Sequence, residues 1–134
     1  MDCRFRYKSG EIIIIKRNMK NTIEAEIKIK PISVNKIWQG RRFKTKAYSD
    51  FITEALYKMP KRKKLESKRL GIFFDFFCKN ATRSDLDNFL KPAIDLLVRK
   101  EWIEDDRFIY SIQAKKFPVK DISEEKIKIR IIEL

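Results

Sequence analysis

Residues Leu70 to Cys78 read Leu-Gly-Ile-Phe-Phe-Asp-Phe-Phe-Cys, apolar at odd and even positions alike apart from Asp75. In extended backbone successive side chains point to opposite faces, so such a run predicts a central strand covered on both sides. That strand demands neighbours in a sheet and a packed layer against it. Glu24 to Lys30 alternates polar and apolar at period two, which predicts a strand with one wet face, ended by Pro31. Phe108–Phe117 and Lys126–Ile132 alternate well enough to form the last two strands. Between these, Ala47, Phe51, Ala55, Leu56 and Met59 recur at helical spacing, and Pro60 stops that helix. A second helix is expected from about Asp87 to Lys100, with Phe89, Leu90, Ala93, Ile94, Leu96 and Leu97 on one arc. Asp87, Lys91 and Asp95 form a stripe on its wet side, and Pro92 must lie in its first turns or kink it. The order β-β-α-β-α-β-β predicts a single α+β domain, a mixed sheet with two main helices.

A chain of 134 residues suits one domain with a sizeable core, and its 43% hydrophobic content argues against wholesale disorder. The longest apolar run, Ile12–Ile15, has strand length and falls far short of the roughly 20 residues that span a bilayer, so no membrane partner is expected. Met1 to Lys8 lacks the pattern of a signal peptide. Ser9-Gly10 punctuates the chain before the Ile12–Ile15 strand, and Met19 precedes a cleaner start. Residues 1–20 are therefore expected to be an accessory strand or extension, and 21–134 the main domain. Cys3 and Cys78 match no metal or redox spacing, which favours reduced thiols in a cytoplasmic protein, with Cys78 in the core or at its edge. The absence of histidine removes Ser-His and Cys-His nucleophiles, His-ligated zinc and His general bases together.

Charge narrows the function. The whole chain carries +13, as expected of a protein that meets a polyanion, yet Asp85–Asp106 holds seven acids against three bases, a net charge of −4. An acidic pocket would repel phosphates unless a cation fills it, and a divalent metal beside phosphate suggests phosphodiester chemistry. Each piece also has an ordinary account. Asp85 and Asp87 can share a face of extended chain and point at one ion, or simply cap a helix. Asp105 and Asp106 can be a solvated turn, although the turn stands where it can approach the preceding helix. Lys91 can stabilise charge on a scissile phosphate, or form an i, i+4 ion pair. The segment Ser33–Lys46 reads as a loop in which Lys36, Arg41, Arg42, Lys44 and Lys46 interleave with Trp38 and Phe43. It suits phosphate gripping and base stacking as well as it suits solvated surface. Lys61–Lys64 reads as a solvated basic linker.

Taken together, Asp85-Leu86-Asp87-Asn88-Phe89-Leu90-Lys91, then Asp95 and Leu97, then Trp102-Ile103-Glu104-Asp105-Asp106, resemble the RusA-type Holliday junction resolvases. Upstream, Pro31, Ser33 and Asn35 match that family's Pro-x-Ser-x-Asn lead into a basic loop, and the resemblance spans about residues 24–132. It implies a homodimer that cuts four-way DNA junctions symmetrically with Mg2+, Mn2+ substituting. By the same resemblance Asp85, Asp87 and Asp106 are metal-binding acids with Asp105 supporting, Lys91 is the catalytic lysine, and Asn88 is a structural companion. Asn35, Lys36, Trp38, Arg41, Arg42, Lys44 and Arg83 are assigned to the DNA surface, and no small-molecule substrate is expected. Two departures stand out: Ser84 where a basic residue or proline is usual, and Pro92 where a small helix former is usual. The competing readings are a catalytically silent junction- or DNA-binding protein and an interaction protein docking through its acidic turn.

Overall fold

The computed structural model describes residues 5–8, 11–14, 21–33, 38–39 and 43–134, with side chains for 21–33 and 45–134. In chain order the elements are β1 (Phe5–Lys8), β2 (Glu11–Ile14), β3 (Thr22–Ile27), β4 (Trp38–Gln39), β5 (Phe43–Lys44) and α1 (Lys46–Lys58). They continue with β6 (Leu70–Cys78), α2 (Leu90–Arg99), β7 (Ile109–Pro118) and β8 (Lys126–Glu133). The principal sheet has the order β3-β8-β6-β7, with β6 parallel to β7 and antiparallel to β8. The α+β class and the mixed sheet with two helices are as expected. β1 and β2 pair as an antiparallel hairpin whose first strand was not anticipated.

β6 is central within the sheet, but it is covered fully on one face only. Leu70, Ile72, Phe74, Phe76 and Cys78 are buried, whereas Phe73, Asp75 and Phe77 are half-buried. The second apolar face is shielded by neighbouring side chains in place of a layer. Phe77 stacks on Phe117 at 4.8 Å, and the Lys126 and Lys128 ammonium groups lie 5.0 and 5.5 Å from its ring centroid. Long cationic stems can cover apolar surface while their heads stay wet.

β3 stops at Ile27, short of the expected Lys30: Ile27 is the last residue paired with β8, and the Ile29 N–H turns back to Ile27 O at 2.9 Å. On α1 the buried stripe is Tyr48, Phe51, Ile52 and Ala55, and Ala47 is exposed. The helix is thus turned slightly from the expected arc, which draws the Tyr48 ring into the core. Thr45 caps α1 by accepting the Tyr48 N–H at 3.2 Å.

The second helix is composite: a 3-10 turn, Leu86–Phe89, leads into α2. Pro92 is the third α2 residue and is buried, so its missing N–H falls where helix N–H groups have no intrahelical acceptor in any case. α2 is stopped at Glu101, which adopts a left-handed φ of 61°. Glu101 N–H donates to Val98 O and Trp102 N–H to Leu97 O, both at 3.0 Å, the bonding pattern of a Schellman cap. Trp102, fully buried, then anchors the returning chain through Nε1–H to Pro60 O at 3.2 Å. That reversal brings residues 105–108 back toward the start of α2.

Candidate active site

Asp85 has extended backbone (φ −79°, ψ 131°) and occupies the cap position of the Leu86–Phe89 turn, yet its side chain makes no capping bond. Asp87 lies inside that turn, so alternation along an extended strand does not set the relation between the two carboxylates. Both residues are exposed, and among the described residues neither side chain has a hydrogen-bond or ion-pair partner. The capping account therefore fails for this pair. It holds for Asp105, whose Oδ1 accepts the Arg107 N–H at 3.0 Å across the Asp106–Phe108 turn. That backbone bond, followed by a hydrogen bond with Asp106, holds the Asp105 carboxyl below its ordinary range.

Lys91 leans forward to Asp95 and not back to Asp87: its Nζ is 3.4 Å from Asp95 Oδ1 and 3.9 Å from Asp106 Oδ2. The acidic turn does approach the helix start. Asp95, expected on the wet stripe, is half-buried because its other oxygen faces α1, where the Tyr48 hydroxyl donates to Oδ2 at 3.0 Å. Burial first, and then the Asp95 charge, push the Tyr48 pKa up to about 12, so this phenol remains a proton donor at neutral pH.

The turn leading to Asp85 is braced from the sheet. Lys116 on β7 is half-buried and its Nζ donates to both Ala81 O and Ser84 O at 2.7 Å. The carboxylate of buried Glu125 accepts the Lys79 N–H at 3.1 Å. Neither role was legible in the sequence, where Lys116 is one lysine among many. Tyr48 carried a signal, its helical spacing with Phe51, Ile52 and Ala55.

Arg83 is exposed at the end of the Ala81–Arg83 turn. Trp38 and Lys44 are register partners in the β4–β5 hairpin, a short pairing within the segment expected to be loop. Asn35, Lys36, Arg41 and Arg42 lie outside the described residues, as does Cys3, whereas Cys78 is in the core as expected. Carboxylate oxygens suit a hard divalent cation in kind. In placement they divide: among the described residues no three acidic or other ligating side chains converge closely enough to hold a metal ion. Asp85 and Asp87 share one turn, and Asp106, on the other, has the Lys91 ammonium beside it.

A basic α+β domain presenting open carboxylates and a lysine at one helix start carries the residue types that phosphodiester cleavage uses. The family model described as Endodeoxyribonuclease RusA matches residues 12–132 of the 134-residue chain, and the chain belongs to that family. It is accordingly a DNA-acting hydrolase of the Holliday junction endodeoxyribonuclease class. No curated protein matches the chain.

Proposed function

We propose that this chain is a magnesium-dependent, structure-selective endodeoxyribonuclease that resolves Holliday junctions by symmetric paired nicks during recombination and repair. The observation that carries the reading is the pair of exposed carboxylates, Asp85 and Asp87, with no structural partner among the described residues, close in sequence to a lysine that reaches Asp106. Groups left unpaired on a well-packed scaffold are available to a ligand, and hard oxygen donors next to a phosphate site favour magnesium, with manganese able to substitute. Asp85, Asp87 and Asp106 would hold the ion, with Asp105 orienting its neighbour. When bound, the ion supplies charge neutralisation at the phosphate and a more acidic water.

The chain's own contribution begins with Lys91. Its ammonium leaves Asp106 for the scissile phosphate, where it offsets the negative charge that grows as water oxygen bonds to phosphorus. The bond from phosphorus to the 3′ oxygen breaks, leaving a 3′ hydroxyl and a 5′ phosphate that ligase can seal. The same exchange releases Asp106 to complete the ligand set. Asn35, Lys36, Trp38, Arg41, Arg42, Lys44 and Arg83 would grip the junction arms. Paired nicks across a two-fold substrate need two symmetric sites, which a homodimer provides. Cytoplasmic residence accords with DNA as substrate, and no helix among the described residues is long and apolar enough to cross a membrane.

The test is a labelled four-way junction and a matched linear duplex incubated with purified protein, with magnesium or with chelator. Paired, ligatable nicks on the junction alone are expected. Asp85→Asn, Asp87→Asn, Lys91→Ala and Asp106→Asn should each abolish cutting while junction binding persists. Binding without cleavage under any divalent ion would leave the silent junction-binding reading in its place.

A further inference from the structure

We infer that Tyr48 and Asp95 form a positioning pair that aims the Lys91 ammonium, a role that rests on the proposed function of Lys91. The lysine side chain is 60% exposed on a flexible four-carbon stem, so its location at the site needs a restraint. Among the described residues its charged partners are Asp95 and Asp106, and Asp95 is the nearer. Asp95 is also the better anchored, with a side chain 26% exposed against 51% for Asp106. Its two oxygens divide their work: Oδ2 accepts the Tyr48 O–H at 3.0 Å, and Oδ1 faces Lys91 Nζ at 3.4 Å.

Tyr48 is a firm post for this purpose. Its side chain is buried in the core, and its own N–H is held by the Thr45 hydroxyl in the first turn of α1. A fixed phenol therefore fixes a carboxylate, and the carboxylate restrains an ammonium across two helices. Tyr48 also lies just beyond the basic segment Ser33–Lys46, so the restraint originates where the expected DNA-gripping chain joins α1. With both oxygens engaged, Asp95 is separate in role from the open pair Asp85 and Asp87.

The experiment compares wild type, Tyr48→Phe, Asp95→Asn and the double variant in single-turnover cleavage of a four-way junction with magnesium. Junction affinity in chelator and thermal melting are measured alongside. Misaiming a catalytic group by about 1 Å can cost on the order of 100-fold, so Asp95→Asn should lower the single-turnover cleavage rate by about 10- to 100-fold and Tyr48→Phe by about 10-fold. Junction Kd should stay within about twofold of wild type in both, and the double variant should be no slower than Asp95→Asn, because the two side chains act through one contact. Tyr48→Phe that melts lower but cuts at the wild-type rate overturns the inference, since the bond then serves only helix packing. Losses that multiply in the double variant overturn it as well. If wild type itself cuts nothing, the proposed function falls and the positioning role falls with it.

Discussion

Lys116→Met offers the sharpest check on how the fold holds its acidic motif. The substitution keeps an unbranched apolar stem of similar length and removes only the ammonium that donates to Ala81 O and Ser84 O at 2.7 Å. Ala81 is buried, and Ser84 is half-buried and immediately precedes Asp85. A hydrogen bond to a charged group contributes about 1.5–3 kcal/mol, and leaving a buried acceptor unmade costs a similar amount. Against two such bonds stand the relieved desolvation of the ammonium and the water that can replace it at the Ser84 side. The net expectation is a loss of about 1–3 kcal/mol. For a domain of this size that corresponds to a fall in Tm of about 3–10 °C, read by circular dichroism. Loosening the turn also blurs Asp85, so half-maximal cleavage of a four-way junction should need several-fold more magnesium. A Lys116→Met variant that melts with wild type and cuts with the same magnesium dependence would refute the bracing role of Lys116.

Two further outcomes follow from the geometry around α2. Glu101→Gly should raise stability by about 0.5–1 kcal/mol in urea unfolding, because a side chain at φ 61° carries a left-handed penalty that glycine lacks. The Tyr48 hydroxyl, with its pKa raised to about 12, sets a second expectation. A folded-state pKa above the unfolded value of about 10 means that the native state binds the extra proton between them. Its contribution is complete below about pH 10 and is lost as pH rises through 12. The stability difference between wild type and Tyr48→Phe, measured by denaturant titration, should be flat up to pH 10 and then shift against wild type toward pH 12.

Much of the framework was readable from periodicity. β6, β7, β8 and both helices lie within a few residues of their expected bounds, since hydrophobic alternation and helical spacing are local properties of the chain. The exceptions have physical causes. β6 lacks a full second layer because Phe117 and two lysine stems shield Phe77, and no local pattern reports which neighbours a strand acquires. Asp95 left its expected wet stripe because α1 packs where the Tyr48 hydroxyl can reach it. Pro92, awkward within one continuous helix, is ordinary once α2 starts at Leu90.

The acidic motif divides along the same line. Charge and spacing placed Asp85, Asp87, Lys91 and Asp106 in one acidic window of a basic chain, and the resemblance to the RusA-type resolvases implied their shared role. Which acids are structural and which are open depended on contacts between segments distant in sequence. Asp105 caps a turn, Asp95 is held by Tyr48 from 47 residues away, and Asp85 and Asp87 are left unpartnered among the described residues. The bracing of the Asp85 turn by Lys116 is of the same kind, a bond between groups 32 residues apart that exists only once β7 lies beside β6. Composition dictates which charges a chain has to place, and packing dictates which of them find partners.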